Sequence, residues 1–109
     1  MKWGEIWTVS GAADYAGKPR PAAILQDELF DSTDSITVCP TTTTDIGPVT
    51  FRIPIAATQS NGLTRNCFLM ADKVTTVPRR KVGKRLGFLG DEEMLRLGRA
   101  VATFFRLAG

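Results

Sequence analysis

The chain has 109 residues, of which 43% are hydrophobic and 23% charged, and it carries a formal net charge of +3 with no histidine. This length predicts one domain over residues 1–109, and the hydrophobic fraction excludes a wholly disordered chain. No apolar run approaches the roughly 18 residues that span a bilayer, and the N-terminus lacks the hydrophobic stretch of a signal peptide. We therefore expect a cytoplasmic protein without membrane attachment, whose mild positive charge suits an acidic partner such as a nucleic acid.

Short strands separated by turn signals are predicted over the first three quarters of the chain. There, β-branched and aromatic residues alternate with polar ones or form continuous apolar runs. The predicted strands cover residues 3–9, 20–26, 35–40, 47–55 and 67–71, and residues 73–77 extend or follow the last one. The connections include a loop over residues 10–19, one helical turn over residues 27–30, and a tight turn at Asn61-Gly62.

The last segment has the period of a helix. Its apolar residues recur at intervals of three and four, as on one helix face: Met94, Leu97, Val101, Phe104 and Ala108. Three acidic residues, 91–93, occupy the first turn, where carboxylates stabilise the helix dipole, and Gly90 or Asp91 is the expected N-cap. The chain is thus predicted to form a mostly antiparallel β-barrel or curved sheet closed by one C-terminal helix.

Two cysteines, Cys39 and Cys67, lie inside apolar stretches. Without histidine, two thiols are too few ligands for a conventional zinc site, and a cytoplasmic location disfavours a disulfide between them. We predict two buried, reduced cysteines, and we expect no metal ion or other cofactor.

Five segments, taken together and in register, resemble the MazF/PemK toxin family. Gly4-Glu5-Ile6-Trp7 resembles the family's Gly-Asp-Ile-Trp strand, and residues 18–22 resemble its second-strand start, in which Arg-Pro precedes a hydrophobic residue. Residues 38–43, Val-Cys-Pro-Thr-Thr-Thr, resemble a Val-Pro-x-Thr-Ser strand end. Residues 71–74 resemble an Asp-Gln-hydrophobic segment, and residues 89–94 resemble the Leu-Ser-Asp-Glu-Glu-Met helix start.

The resemblance covers nearly the whole chain and carries several expectations. It implies a mainly β fold with a C-terminal α-helix, in the form of the small SH3-like barrel of CcdB/PemK-type toxins. It also implies a homodimer that cleaves RNA and is neutralised by a cognate MazE-like antitoxin. Two departures concern the site: Lys73 stands where glutamine is frequent, and neither Met70 nor Ala71 supplies the arginine that some members carry before the aspartate equivalent to Asp72.

Cleavage of RNA without a metal ion requires the 2′-hydroxyl to attack its own phosphate, with a base, an acid and groups that stabilise the phosphate charge. Histidine is the usual proton carrier, and this chain has none. Arg20 is the leading catalytic candidate, because a guanidinium binds a phosphate through two hydrogen bonds. It also acts more readily as an acid than as a base. Thr42, selected by the family's Pro-x-Thr-Ser pattern, is the second, because its hydroxyl donates to a phosphate oxygen. The plainer interpretations are an exposed strand-end arginine and a threonine that favours strands.

Supporting roles are predicted for residues that surround these two. Thr43 offers a neighbouring hydroxyl. Asp72 is predicted to accept from a base edge or a 2′-hydroxyl, to hold Arg20 in place, or to be a solvated turn residue paired with Lys73. Phosphate contacts, which set affinity rather than sequence choice, are predicted for Lys18, Lys73, Arg79 and Arg80. Four aromatic side chains could stack on RNA bases: Trp3, Trp7, Tyr15 and Phe51. For Trp7 and Phe51, a place in the hydrophobic core is the stronger expectation.

The function hypothesis that follows is a sequence-preferring, metal-independent endoribonuclease of single-stranded mRNA that leaves a 2′,3′-cyclic phosphate. The alternative is a CcdB-like toxin that poisons a protein target such as DNA gyrase without cutting RNA. CcdB-like chains carry a tryptophan just before their C-terminus, whereas residues 106–109 here contain none, which favours the nuclease. A third interpretation is an inactive SH3-like adaptor.

Overall fold

The computed structural model describes residues 1–11 and 18–107. Within them lie seven strands and one α-helix: β1 Glu5–Val9, β2 Arg20–Ile24, β3 Ser35–Thr42, β4 Arg52–Ile55, β5 Cys67–Met70, β6 Thr75–Pro78, β7 Val82–Phe88 and α1 Asp91–Phe104. The hydrogen-bonded order is β4-β5-β3-β2-β1-β7, β6 also pairs with β3, and every pairing is antiparallel. The predicted mainly β fold with a C-terminal helix is confirmed.

The two ends of this sheet meet through the loop of residues 56–66. The carbonyl oxygen of Ser60 accepts the backbone N–H of Phe88 on β7 at 3.1 Å. Gly62 has a φ of +68°, and a Cβ there would lie 2.0 Å from the carbonyl oxygen of Leu86. Only glycine combines this left-handed backbone with so close an approach. The predicted Asn61-Gly62 turn is confirmed. It holds the loop between β4 and β5 against β7, the strand at the other end of the sheet.

Both faces of the sheet are buried, because successive side chains of a strand point to opposite sides. On one face, Ile6, Ala23 and Cys39 join a cluster that includes Met94 and Leu97 of α1. The other face forms a second cluster from Val9, Ala22, Ile24, Ile36, Val38 and Val77. The central strands β2 and β3 therefore sit between two apolar layers, which gives the residues at their ends a rigid support.

The helix begins and packs as its pattern predicts. Gly90 is the N-cap, and its backbone N–H donates to the Glu93 carboxylate at 2.9 Å. Met94 and Leu97 are buried, while α1 ends at Phe104, and Ala108 lies outside the described residues. No helix in the described part of the chain is long and apolar enough to cross a membrane.

The fourth predicted strand is too long, and one strand is missing from the predictions. The predicted strand 47–55 is shortened to Arg52–Ile55, while β3 continues from Pro40 into the threonine tract. Among the described strands, β7 lies at the end of the sheet and pairs only with β1. It exposes consecutive residues such as Lys84 and Arg85, so it lacks the alternation that marks a half-buried strand.

Two further local predictions agree with the structure, whereas most of the predicted loop 10–19 lies outside the described residues. Residues Glu28–Phe30 form one 3₁₀ turn, whose cap Asp27 accepts the N–H of Leu29 at 2.8 Å. Cys39 and Cys67 are buried free thiols, as predicted. Burial raises the pKa of Cys39 to about 12 and also raises the pKa of Cys67, so both thiols are protonated at neutral pH.

A charged cluster fastens β7 to β1. The Glu5 carboxylate accepts hydrogen bonds from Arg85 Nε at 2.7 Å, from the backbone N–H of Lys2 at 2.8 Å and from Trp7 Nε1 at 3.1 Å. Burial alone works to raise the pKa of Glu5, but these hydrogen bonds outweigh it and lower the pKa to about 2. Glu5 is therefore ionised and bound at neutral pH.

Candidate active site

A small cavity of about 150 Å³ opens where strands β2, β3 and β5 come together. It is lined by residues 19–21, 41–43, 63–65 and Cys67. Among these residues are two arginines, several threonine hydroxyls and no carboxylate. A cavity of about 150 Å³ holds a ligand the size of benzene, so this one has room for a phosphate group. Its size and charge suit a phosphate.

The pairing of β2 with β3 brings Arg20 and Thr42 together. The recorded pairing runs as far as Ala22 opposite Pro40, and Arg20 and Thr42 each lie two residues beyond that pair. Both predicted catalytic residues line the cavity, and Thr43 lies beside them.

The neighbouring hydroxyls of Thr41 and Thr42 have different roles. Thr41 is 5% exposed, and its Oγ1 donates to the carbonyl oxygen of Pro21 at 2.7 Å. Thr42 Oγ1 accepts the backbone N–H of Thr44 at 3.1 Å. A hydroxyl also has one hydrogen to donate, and none of the described residues accepts the hydrogen of Thr42. It therefore remains available to an acceptor in the cavity.

Arg20 lies at the start of β2 and is exposed. Pro19 and Pro21 flank it, and their rings fix the backbone φ angle on either side. The guanidinium thus extends from a stiff segment at the rim of the cavity, and little conformational freedom of this backbone is lost when a ligand binds.

Leu63, Thr64 and Arg65 complete the cavity, and none of them was predicted as a site residue. They belong to the loop that closes the sheet, and the Asn61-Gly62 turn is their only sequence signal. Their proximity to Arg20 depends on long-range packing, which no local motif encodes.

Asp72 does not line this cavity. It lies in the 3₁₀ turn Ala71–Lys73, where Arg52 of β4 donates to its two oxygens from Nε at 2.8 Å and from Nη2 at 3.0 Å. The two side chains are only 10% and 15% exposed. The hydrogen bonds from Arg52 lower the pKa of Asp72. The structure therefore pairs Asp72 with Arg52 and not with Arg20.

The predicted phosphate contacts are spread over the surface. Lys18 is exposed next to the cavity rim, while Lys73 and Arg80 are exposed elsewhere. The Arg79 guanidinium donates to the carbonyl oxygens of Thr33, at 2.8 and 3.0 Å, and of Asp31. These bonds tie Arg79 to the segment before β3, so the structure does not bring it to the cavity.

The predicted stacking residues are also apart. Trp7 and Phe51 are half-buried and pack on the two hydrophobic clusters, as expected of core residues. Trp3 is 48% exposed, and Tyr15 lies outside the described residues.

A larger groove, of about 870 Å³, lies on another side of the molecule. It separates strands β4 and β5 from α1, and its walls include Val49, Ile53, Phe68, Arg96 and Arg99. Nearby, the Phe104 ring lies 5.7 Å from Phe51 and 5.5 Å from Phe105. Phe104 and Phe105 are each nearly half exposed, so this side presents a contiguous apolar surface.

Comparison with known proteins gives a consistent result. A family model described as "PemK-like, MazF-like toxin of type II toxin-antitoxin system" matches residues 2–105. The chain is 45% identical, over the full length of both proteins, to a protein of Mycolicibacterium smegmatis named "Probable endoribonuclease MazF".

Solved structures resemble the fold closely. The Mycobacterium tuberculosis toxin MazF-mt6 matches with a TM-score of 0.82 and 28% identity over 96% of this chain and 99% of that one. An endoribonuclease from a mycobacterial species, solved with its cognate antitoxin, matches with a TM-score of 0.81 and 19% identity over 100% and 98% of the two chains.

Proposed function

This chain belongs to the PemK-like, MazF-like toxin family of type II toxin–antitoxin systems and is a MazF-like endoribonuclease, and we propose that it cleaves single-stranded RNA at the cavity shared by Arg20 and Thr42. One observation carries this proposal. Arg20 and Thr42, which lie just beyond the last recorded β2–β3 pair, line the same small cavity, and no carboxylate is among its described lining residues.

In the proposed reaction, the 2′-oxygen of the substrate forms a bond to phosphorus while the bond from phosphorus to the 5′-oxygen breaks. The 2′-hydroxyl loses a proton and the leaving 5′-oxygen gains one, so the products carry a 2′,3′-cyclic phosphate and a 5′-hydroxyl. Arg20 donates two hydrogen bonds to the phosphate and shields its charge. The Thr42 hydroxyl donates one more to a non-bridging oxygen, where charge develops in the transition state.

Few side chains that line the cavity could accept the 2′ proton. Its described lining residues include no carboxylate and no imidazole, and the Cys67 thiol has a raised pKa because it is buried. We therefore assign removal of the 2′ proton to solvent and acid action toward the leaving oxygen to Arg20. Because these assignments use only solvent and the chain's own groups, cleavage is expected to continue in the presence of a chelator.

The substrate class follows from the dimensions of the cavity. We place one phosphate in the cavity of about 150 Å³ and the bases on the surface beside it. Bases are read this way only when they are unpaired and splayed apart. We therefore propose single-stranded RNA, mRNA first, cut with a sequence preference set by surfaces beside the cavity.

A cognate antitoxin is the proposed regulator. A structurally similar mycobacterial endoribonuclease was solved with its cognate antitoxin. A similar structure from Deinococcus radiodurans contains MazE with MazF. An acidic segment of a MazE-like partner is expected to compete with RNA for the cationic cavity. The cytoplasm, where such RNA and partners occur, is the proposed location.

A homodimer is proposed through the side that carries the larger groove. Strand β4 ends the hydrogen-bonded sheet there, and the exposed rings of Phe104 and Phe105 adjoin it. Burying these rings against a second copy removes apolar area from water. Light scattering of the purified protein tests this, and Phe104→Asp is expected to shift the mass toward the monomer.

The nuclease and the gyrase-poison hypotheses separate in one experiment. The purified protein is incubated with a long RNA in the presence of EDTA and, in parallel, with DNA gyrase and supercoiled plasmid. We expect RNA fragments and unchanged gyrase activity. Arg20→Ala and Thr42→Ala are expected to abolish the fragments, whereas the matched controls Lys2→Ala and Thr44→Ala are expected to keep them. Gyrase inhibition without RNA fragments would contradict the proposal.

A further inference from the structure

Arg65 lies in the same cavity as Arg20, on the other side of β3. Strand β3 is hydrogen-bonded to β2 on one edge and to β5 on the other. Arg20 begins β2, and Arg65 lies two residues before β5 begins. The two arginines therefore flank the end of β3 that carries Thr42, and both line the cavity.

The loop that carries Arg65 is fixed by a buried amide. Asn61 is 2% exposed. Its Oδ1 accepts the N–H groups of Thr58 and Leu63, each at 3.0 Å, and its Nδ2 donates to the carbonyl oxygen of Ala56 at 2.9 Å. The loop is also held to β7, because Gly62 lies directly against the backbone of Leu86. The backbone leading to Arg65 is thus as constrained as a strand.

The side chain of Arg65, in contrast, has no role in the fold. It is exposed, and none of the described residues forms an ion pair or hydrogen bond with its guanidinium. Arg52 and Arg79 differ from it, since their guanidinium groups are bound to Asp72 and to backbone carbonyls respectively. A constrained backbone that presents an unbound guanidinium to a phosphate-sized space is the arrangement expected of an anion-binding residue.

We propose that Arg65 is a second phosphate-binding catalytic residue, acting on the same phosphodiester as Arg20 from the β5 side of the cavity. This inference rests on the proposed RNA-cleaving function. Because both arginines line one small cavity, we place their guanidinium groups on one anion. Charge on the non-bridging oxygens increases as the 2′-oxygen bonds to phosphorus, so the added cation stabilises the transition state more than the bound substrate.

Single-turnover cleavage of a short RNA containing one cut site tests this role. The variants are Arg65→Ala, Arg65→Lys and the matched charge-loss control Lys2→Ala, whose exposed side chain lies outside the cavity. Arg65→Ala is expected to lower the maximal rate by about 100- to 1000-fold, the range typical of a lost charge-stabilising donor. Arg65→Lys is expected to recover part of that loss, because lysine keeps the charge but not the planar fork.

Binding of the same RNA, made uncleavable by a 2′-deoxy sugar at the cut site, gives an independent readout. Loss of one phosphate contact is expected to reduce the slope of log affinity against log salt concentration by about 0.7 for a single strand. Circular dichroism and thermal melting check that each variant is folded. A purely structural role for Arg65 would instead lower the melting temperature without altering the salt slope.

The outcomes separate this inference from the proposed function. If wild type cleaves, Arg20→Ala does not, and Arg65→Ala cleaves at the wild-type rate, the role of Arg65 is overturned and the function stands. A higher RNA concentration for half the maximal rate, with the maximal rate itself unchanged, would place Arg65 on a different phosphate. That result also overturns the proposal. If wild type itself leaves RNA intact, the proposed function fails before Arg65 is tested.

Discussion

The Thr41 hydroxyl donates to the carbonyl oxygen of Pro21 at 2.7 Å and so links the ends of strands β3 and β2. The residues next to this bond, Arg20 and Thr42, are the two that we place at the scissile phosphate. Neighbouring threonines thus have different roles. Thr41 links the two strands, and we place Thr42 toward the substrate.

Thr41→Val removes that bond while keeping the shape of the side chain. It leaves the Pro21 carbonyl without its partner, so we expect a loss of about 1 kcal/mol in the free energy of unfolding and slower cleavage by the folded protein. Urea denaturation measures the first effect and initial cleavage rates the second. Thr44→Val, at an exposed position, is the control, and equal effects of the two substitutions would contradict the role of Thr41.

Asp72→Ala distinguishes a structural role for Asp72 from a catalytic one. Arg52 and Asp72 form a bidentate pair with little exposure, and removing one partner leaves a largely buried charge uncompensated. We expect a loss of about 2–3 kcal/mol in the free energy of unfolding and nearly unchanged cleavage per folded molecule at low temperature. A variant of wild-type stability that has lost its activity would show instead that Asp72 acts on RNA.

Acid stability is expected to depend on Glu5. Its folded pKa is about 2, against 4.5 ordinarily, so its contribution is fully present above pH 4.5 and is lost as the pH falls from 4.5 toward 2. Melting temperatures from pH 2.5 to pH 7 measure this loss. Arg85→Ala removes one hydrogen bond to Glu5 and is expected to flatten that part of the curve, whereas the neighbouring Lys84→Ala is expected to leave its shape unchanged.

The pH dependence of cleavage tests the assignment of the base. With no histidine in the chain and no carboxylate among the described lining residues of the cavity, we assign the base to solvent. We therefore expect log kcat/KM to rise linearly with pH between about 6 and 9, because solvent-derived base removes the 2′ proton. A bell-shaped profile centred near pH 7 would reveal a titrating protein group.

The two arginines that we place at the phosphate differ in how far the sequence predicts them. Arg20 is predictable because a strand start between two prolines and a family motif both mark it. Arg65 is not, because it reaches the cavity only when the 56–66 loop packs against β7 through Gly62. That contact joins segments far apart in the chain, and the exposed, charged β7 shows no strand period of its own.

Pairings between elements show the same limit. The positions of β1, β2, β3 and α1 were predictable because their apolar residues, which pack into the two clusters, are grouped in the local sequence. The partner of Asp72 was beyond prediction, since Arg52 approaches it only through the pairing of β4 with β5. The candidate site residues at the strand ends could therefore be predicted from residue type. The residues that form ion pairs with them could not, because those pairs depend on tertiary structure.

The most direct test of the central claim is the chemistry of the fragment ends that the purified protein produces from a long RNA in EDTA. We predict 2′,3′-cyclic phosphate and 5′-hydroxyl ends at discrete sites, with cleavage reduced by at least about 100-fold in folded Arg20→Ala and Thr42→Ala. Ends that carry a 5′-phosphate, or undiminished cleavage by both variants, would contradict the account.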